Sequence, residues 1–324
     1  MAAEGFVISD TTYAGEAAAQ FVLPAITGAD TLDGGHAYLK DGIKKKFTIP
    51  RWNSDYTNLV QSRKATPTSV GSMEVDAQYI TPEDYMIYME FNPRDFETHW
   101  YSQEMAPGLI DAQLPYNANS VVVMGVMQRH ARYFNNAIWN SSIAAPPAVQ
   151  NSNGDFIFGF FNGWLQKLYQ GIVTAFPANY IGSGTLNATN IEGVLVSCYE
   201  AIPLALRYDP HMKFFCSYNT FDLWRQWQVN QTYKGIDATR AANDEFAGRK
   251  LVKIADFPDN TIVVAKGMAT TDSAMWVGIN SISDEGLKFA PLQNNSELWF
   301  VKLLMKADVN FAWYQECVYY GPAV

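Results

Sequence analysis

The chain has few of the residues from which reactive or metal-binding sites are built. Its 324 residues include three cysteines and four histidines, and none has the spacing of a zinc ligand set or a disulfide framework. Cys198, Cys216 and Cys317 are far apart in apolar surroundings, which predicts buried free thiols. The phosphate-loop, dinucleotide, metalloprotease and serine-hydrolase motifs are absent as well. The sequence therefore predicts no catalytic, cofactor-binding or metal site, and it indicates a protein that is not an enzyme.

Long hydrophobic runs are also missing. No segment approaches the roughly 18 consecutive apolar residues of a membrane span. The first residues contain no basic stretch followed by an apolar run, as a secretory signal would. We therefore expect no membrane partner, and folding in a reducing cytoplasm.

Charge is scarce while aromatic residues are frequent. Charged residues make up 17% of the chain, below the roughly 25% of an average soluble protein, and aromatic residues reach 14%. Because aromatic residues are enriched at interfaces, this composition predicts large contacts with other chains; a large core rich in tyrosine is the alternative. The net charge of −9 argues against a surface that binds nucleic acid as a whole, since phosphate contacts need lysine and arginine.

The end of the chain carries the clearest pattern. Residues 297–313 read ELWFVKLLMKADVNFAW, in which apolar side chains occupy every second position from Val301 to Trp313. A two-residue period is typical of a half-buried strand, because successive side chains point to opposite faces. The run exceeds the usual five or six residues of a strand. It predicts either a hairpin that bends near residues 308–310 or one long strand in a large sheet.

A hairpin with a basic character is predicted nearer the N-terminus. Residues 44–52 lead into a polar stretch, and residues 69–80 return with strand-forming residues. Such a hairpin is marginal alone, so it needs a partner. We expect its basic residues to dock onto an acidic neighbouring copy; a solvated face is the alternative. The candidate contact residues between subunits are Lys44, Lys45, Lys46, Arg51, Trp52, Arg63 and Lys64.

Between these two regions the pattern is mixed. Residues 119–141 have the spacing of a long amphipathic helix, with His130 on its apolar face as a hydrogen-bonded core or interface histidine. Residues 81–100 fit either a helix or a strand. Further predictions are helices at 158–169, after Thr189 or Asn190, and after Asn219 or Thr220, and strands at 172–175, 213–217 and in the segments KLVKIA, NTIVVA and SAMWVGI.

Paired carboxylates are the one feature that favours an enzyme. Two carboxylates that converge could perform glycosidic acid–base chemistry, but surface turns explain all four groups equally well. A carbohydrate-active enzyme or lectin is therefore kept as an alternative. The groups are Glu83 with Asp84, Asp95 with Glu97, Asp244 with Glu245, and Asp284 with Glu285.

The order of these parts resembles the major capsid protein of tailed bacteriophages, the Hong Kong 97-type fold. The segments that carry the resemblance are residues 190–210, ending IPLALRYDP before the KFFCS strand; FAGRKLVKI with the two strands after it; and the ending LWFVKLLMKADVNFAWYQECVYYG. The resemblance implies an α+β fold. Its parts would be an N-terminal arm at 1–40, an extended loop (E-loop) at 41–80, a peripheral domain with a long spine helix at 81–150, an axial α/β domain at 151–285, and returning peripheral strands at 286–324.

The same resemblance implies a function and partners. The chain is expected to assemble with copies of itself into pentamers and hexamers of an icosahedral shell around double-stranded DNA, which it contacts weakly and non-specifically. No charged helical segment precedes the arm, which implies a separate scaffolding protein or the prior removal of a prodomain; Met at residue 1 favours the separate protein. Decoration, portal and other virion proteins are further candidate partners. The implied location is the virion capsid, assembled in the host bacterial cytoplasm; an encapsulin-like compartment and another virion component, such as a tail protein, are the alternatives.

Overall fold

A computed structural model of the protein describes residues 11–14, 29–54, 62–66, 73–92, 116–144, 159–230, 244–280, 286–292 and 298–323. A short helical turn was predicted near residues 17–22, which lie outside these ranges. Helices and strands are interleaved along the chain. The α-helices are α1 (Asp30–Asp33), α2 (Tyr116–Asn140), α3 (Trp164–Ala175), α4 (Ile191–Ala201) and α5 (Tyr218–Asn230).

Seven of the fourteen described strands fall in segments that the local sequence pattern predicts as strands. Short 3-10 turns at Pro177–Asn179 and Tyr314–Glu316 lead into β6 and β14. The strands are β1 (Thr11–Ala14), β2 (Tyr38–Lys40), β3 (Phe47–Ser54), β4 (Met73–Ile80), β5 (Glu83–Phe91), β6 (Tyr180–Gly182), β7 (Met212–Ser217), β8 (Glu245–Phe246), β9 (Arg249–Ile254), β10 (Ile262–Lys266), β11 (Met275–Ile279), β12 (Gly286–Pro291), β13 (Trp299–Phe311) and β14 (Val318–Tyr320).

The first sheet is organised around β13. Its order is β1-β12-β13-β11-β2, and β5 also pairs with β13 along nine residues. β13 is one strand of 13 residues, so the long-strand alternative is correct and the hairpin near residues 308–310 is not formed. Its odd-numbered residues from Val301 to Phe311 are buried against α2 and α3, as the two-residue period predicts.

The second sheet has the order β6-β14-β10-β7-β9-β8. Its central strands β7 and β10 are buried on both faces. Phe214 packs with α4 and α5 on one face, whereas Phe215 on the other face joins the core that α2 and α3 share with β13. The predicted strands in KFFCS, KLVKIA, NTIVVA and SAMWVGI are confirmed.

Helix α2 is the long helix that the sequence predicts, extended by three residues at its start. Its buried face includes His130, Phe134 and Ile138. The nearby turn α1 is fastened to it, because Trp139 Nε1 donates to Thr31 Oγ1 at 2.9 Å and Thr31 Oγ1 donates to Asn135 Oδ1 at 2.9 Å. The two sheets and the N-terminal segment are thus joined through one helix.

Three local predictions need correction. The second helix is α3 at Trp164–Ala175, not residues 158–169, and the predicted strand at 172–175 is its last turn. These residues are helical because Ile172 is buried in the core beneath α3, where tertiary packing overrides the β preference of Ile and Val. The helix after KFFCS is capped by Ser217, whose Oγ accepts from the Thr220 N–H at 3.1 Å, and not by Asn219 or Thr220.

Residues 83–91, where helix and strand were both open, form strand β5. Tyr85 is buried, whereas Met86 and Tyr88 on the other face are exposed. The sheets divide the chain differently from the predicted domain ranges at two strands. β11 lies within the range predicted as axial but belongs to the first sheet, and β14 lies within the returning range but belongs to the second. The domain boundaries themselves stay a prediction.

Candidate functional site

The predicted hairpin is formed by β3 and β4, which pair only with each other among the described strands. The antiparallel register runs from Phe47 opposite Ile80 to Ser54 opposite Met73. The Phe47–Ile80 end of this hairpin, which we call the base, lies against the first sheet. The Ser54–Met73 pair closes the other end of the described ladder.

An apolar cluster holds the base. Ile49 and Ile80 are fully buried with Ile43, Trp276 and Trp313. Their apolar surface is removed from water only while the hairpin remains seated, which favours this position.

Gly278 provides the room for that seating. In β11, a Cβ atom at position 278 would lie 2.7 Å from Ile43 Cδ1 and closer still to Ile80 Cγ2. The absence of a side chain therefore lets the two isoleucines of the base touch the sheet. The Ile43 N–H also donates to the Ile279 carbonyl at 3.1 Å.

Asp308 is the first of two polar anchors beneath the base. Its side chain is 6% exposed, and its Oδ1 lies 2.6 Å from Lys167 Nζ of α3. Its Oδ2 accepts from the Thr81 N–H, directly after β4, at 2.8 Å. Burial raises the pKa of Asp308 even though Lys167 opposes this, because the carboxylate has lost most of its water. The carboxylate thus connects the hairpin, β13 and α3.

Asn310 is the second anchor. Its Nδ2 donates to the Tyr79 carbonyl in β4 at 2.7 Å, and its Oδ1 accepts from the Tyr314 hydroxyl at 2.8 Å. Trp164 Nε1 donates to the Asn310 carbonyl at 3.3 Å. Because hydrogen bonds are directional, these contacts define an orientation of the hairpin that apolar packing alone would leave loose.

The basic candidates lie around this anchored structure. Lys44, Lys45 and Lys46 are exposed in the turn before β3, and Lys46 Nζ lies 3.5 Å from the centre of the Tyr79 ring. Arg51 and Trp52 lie in β3, and Arg63 and Lys64 are exposed in the described residues 62–66. The structure therefore brings the three lysines to the base and places the other four along the hairpin; their role between subunits stays a prediction.

The hairpin region carries a charge opposite to that of the rest of the chain. Residues 41–80 contain six basic and four acidic side chains, a net charge of +2. Because the whole chain has a net charge of −9, the remaining residues sum to −11. Within the hairpin the register sets Asp76 opposite Arg51. The basic character is therefore strongest in the Lys44–Lys46 turn.

Sequence reasoning missed the anchors. Asp308 and Asn310 were assigned to the polar face of the strand, which is correct, but that face is covered here. Their bonding partners Thr81 and Tyr79 lie 227 and 231 residues away in the chain. The one available signal was their position: both polar residues alternate with apolar residues close to Phe311 and Trp313.

The predictions for His130 and for the three cysteines are confirmed. His130 is buried, with Nε2 lying 3.1 Å from the Tyr85 hydroxyl, as expected for a hydrogen-bonded core histidine. All three cysteines are buried free thiols, and burial raises the pKa of Cys198 and Cys216 to about 12. No cluster of metal-ligating residues occurs in the described part of the chain. No described helix is long and apolar enough to span a membrane.

The carboxylate groups do not build an active-site cleft where they are described. Asp84 forms an ion pair with Lys306 at 3.3 Å on the exposed face of the first sheet, and Asp244 forms one with Arg225 at 3.3 Å on α5. These are ordinary surface pairs. The groups at Asp95 and at Asp284 lie outside the described residues.

Solved capsid structures share this fold over nearly the whole chain. A chain of the satellite phage P4 procapsid, which includes the size determination (Sid) protein, has a TM-score of 0.61 at 10% identity, covering 98% of this chain and 93% of that one. The capsid of Myoviridae phage XM1 gives 0.56 at 10% identity, covering 90% and 92%. A virus-like particle from Pyrococcus furiosus gives 0.51 at 6% identity, covering 94% and 97%.

No protein-family model and no curated protein sequence matches the chain. The likeness is therefore one of fold: the chain has the α+β fold of phage capsid proteins, and the predicted resemblance is confirmed at that level.

Proposed function

We propose that the chain is the shell-forming subunit of a virion, the major capsid protein of a tailed phage. Copies would assemble into pentamers and hexamers of an icosahedral shell that encloses double-stranded DNA. The observation that supports this most directly is the capsid fold spanning 98% of the chain, together with a hairpin whose base packs against the first sheet and whose described strands pair with each other. A projecting hairpin with a rigid base is suited to reaching a second copy.

Charge supports the choice of a second copy as the partner of the hairpin. The exposed Lys44–Lys46 turn would meet a chain whose other residues sum to −11. Head-to-tail contacts of this kind between identical chains close into rings when the rotation permits. Many modest contacts per subunit then add through multivalency. In this proposal residues 1–40 act as the arm and residues 41–80 as the E-loop. Residues 81–150 and 286–324 form the two parts of the peripheral domain, and residues 151–285 form the axial domain.

A protein compartment of the encapsulin type is the second candidate, because the likeness to the Pyrococcus furiosus virus-like particle also spans the chain. The contents of purified shells separate the two functions. Shells that carry nuclease-protected double-stranded DNA support the phage capsid, whereas shells loaded with a host enzyme support the compartment. The remaining partners in the proposal are a separate scaffolding protein and portal or decoration proteins, with assembly in the bacterial cytoplasm.

The class of the protein is tested by electron microscopy and sedimentation of the purified chain, with and without the candidate scaffold. Closed shells, or rings of five and six copies, are expected. A monomer under every condition would overturn the proposal, and the carbohydrate-active alternative would then be tested by glycan binding and cleavage.

The role of the hairpin is tested without disturbing its base. Ser54 is paired with Met73, so residues 55–72 can be replaced by an Asn-Gly turn that closes the two strands. The shortened chain should remain a folded subunit and fail to form shells. Normal shells from it would remove the hairpin from the assembly contacts.

The basic turn is tested by changing Lys44, Lys45 and Lys46 together to Gln. Assembly should slow most at low salt, where screening is weakest. Lys253→Gln, a change of one exposed lysine on the second sheet, serves as the control. An assembly rate that ignores both the charges and the salt would exclude electrostatic docking.

A further inference from the structure

Three nitrogen-bearing side chains meet at one margin of the second sheet. Lys213 Nζ, at the start of β7, lies 3.1 Å from His36 Nδ1. Lys250, at the start of β9, is the next side chain on the same face, because the parallel register pairs Phe214 with Leu251 one residue later. Lys250 acts electrostatically on both of the others. Three basic groups are thus gathered in a chain that is acidic overall.

The backbone is shaped to hold the histidine in this position. The His36 ring contacts Phe215 edge-on, with 5.8 Å between ring centroids. A Cβ atom at Gly34 would lie 2.7 Å from His36 Nε2, and one at Gly267 would lie 2.9 Å from the His36 carbonyl. Gly34 therefore leaves room for the half-buried ring beside Lys213, and Gly267 leaves room for the backbone of His36.

Within the described ranges, no carboxylate forms an ion pair with His36, Lys213 or Lys250. Glu245 pairs with Lys250 in the β8–β9 register but is exposed and forms no ion pair with it. Asp209 is engaged by Lys266 at 3.0 Å, and Lys266 lies on the opposite face of the sheet. The acidic residues of the α1 turn, Asp30 and Asp33, are exposed.

The charge state of the group follows from this surplus. Burial, with the positive charges of Lys213 and Lys250 adding to it, lowers the pKa of His36 to about 4. Burial also lowers the pKa of Lys213, with Lys250 adding to the effect. At neutral pH the ring is neutral and its Nδ1 accepts a hydrogen bond from the Lys213 ammonium. A bound anion would relieve the repulsion and favour the imidazolium.

We propose that His36, Lys213 and Lys250 form a binding site for a phosphate group. A phosphate offers several acceptor oxygens in a tetrahedral arrangement, and three separate donors on one margin match it better than they match a planar carboxylate. Because the anion prefers the protonated ring, phosphate binding and protonation of His36 favour each other.

The site is tested on the full chain with inorganic phosphate, by the broadening of its phosphorus NMR signal, which works for subunits and for shells. Lys213→Gln and Lys250→Gln should each weaken binding about tenfold, the scale of one charge-assisted hydrogen bond. Lys253→Gln is the matched control, because Lys253 is exposed on the same strand but lies over Phe221 on the other face. Equal broadening for all variants would overturn the proposal.

The coupling gives a second, independent measurement. With four histidines in the chain, the His36 proton signal is identified by its loss in His36→Gln. Phosphate should raise the pH midpoint of this signal, and acetate at equal ionic strength should not. A midpoint that phosphate leaves unchanged, or that acetate raises equally, would contradict a phosphate site.

The source of the phosphate group is resolved with a short fluorescent DNA duplex. If the site takes DNA phosphates, Lys213→Gln and Lys250→Gln reduce duplex binding and its salt dependence, whereas Lys253→Gln does not. If duplex binding is unchanged while inorganic phosphate binding is lost, the site takes free phosphate. Loss of neither form of binding would overturn it.

Discussion

The two sheets are stabilised in different ways, and the difference explains why the β3–β4 hairpin is attached to the first sheet. The second sheet has an apolar layer on each face, with Phe214 in one and Phe215 in the other. The first sheet has one apolar face along β13, and its other face carries lysines and then the buried pair Asp308 and Asn310. Apolar layers hold a domain together without regard to direction.

Buried polar groups do something that apolar layers do not. Asp308 and Asn310 bind the backbone of the hairpin through directed hydrogen bonds. Apolar contacts alone would allow the hairpin several orientations at its base. Hydrogen bonds are directional, so they favour one orientation of the hairpin relative to the sheet. The first sheet therefore sets the orientation of the hairpin through hydrogen bonds, whereas the second sheet is held between two apolar layers.

The largest expected effect lies in the second sheet. Phe214→Ala removes a fully buried ring and leaves a cavity between β7 and the α4–α5 layer, so unfolding should become easier by about 3–5 kcal/mol. Urea unfolding of the unassembled subunit measures this. In this variant the Thr81 N–H at the hairpin base should exchange only through unfolding of the whole subunit. Its exchange rate should therefore rise only as far as the lower stability of the subunit predicts. Selective exposure of the base would show that the two regions are not separate.

Next in size is the loss of the polar anchor. Asp308→Ala leaves the Lys167 ammonium and the Thr81 N–H without their partner, which should cost about 2–3 kcal/mol. The double variant with Lys167→Met should recover part of the loss, because it removes the uncompensated charge. Faster hydrogen exchange confined to β3 and β4 is the expected signature. A uniform loss over both sheets would deny Asp308 its directional role.

A smaller effect is expected from crowding the base. Gly278→Ala pushes a methyl group into Ile43 and Ile80, which should destabilise the subunit by about 1–3 kcal/mol and displace the hairpin. Gly193→Ala in α4 is the matched control, since nothing lies within 4 Å of a Cβ atom there. It should be neutral or stabilise the helix by up to about 1 kcal/mol. Equal effects of the two changes would refute the close seating.

Much of the framework could be predicted from the sequence, because strands and helices each leave a characteristic spacing of apolar residues in a short segment. The alternation from Val301 onward predicted the strand and its buried face, and the spacing around Phe134 predicted the long helix. What could not be predicted depends on distant partners. Asp308 looked like an ordinary polar-face residue, since a period does not reveal that Thr81 covers it. Ile172 favoured a strand locally, and only its burial under α3 made it helical.

The seven candidate contact residues, six of them basic, illustrate the same limit at the site. A run such as Lys44–Lys46 predicts exposure and charge, and both are observed. It does not predict that Tyr79 would lie beneath Lys46, or that an acidic residue would lie opposite Arg51. A docking surface is a property of two molecules, so its residues stay a prediction until assembly is measured.

The smallest expected effect concerns the joint between the second sheet and the N-terminal segment. The pKa of His36 is lowered to about 4 in the folded chain, from 6.5 in a free histidine. The unfolded chain therefore takes up this proton first, and its contribution to stability, complete above about pH 6.5, is lost as the pH falls toward 4. The effect is modest because the ring is only half-buried.

Urea unfolding in phosphate-free buffer across this range measures the contribution of His36. His36→Gln should flatten the decline in stability between about pH 6.5 and 4. Lys253→Gln is the control, because it changes an exposed side chain on the other face of the second sheet. If His36→Gln keeps the full decline, the decline arises from carboxylates such as Asp209, which is held by Lys266 on the other face. The contact between His36 and the second sheet would then add no pH dependence to the free energy of unfolding.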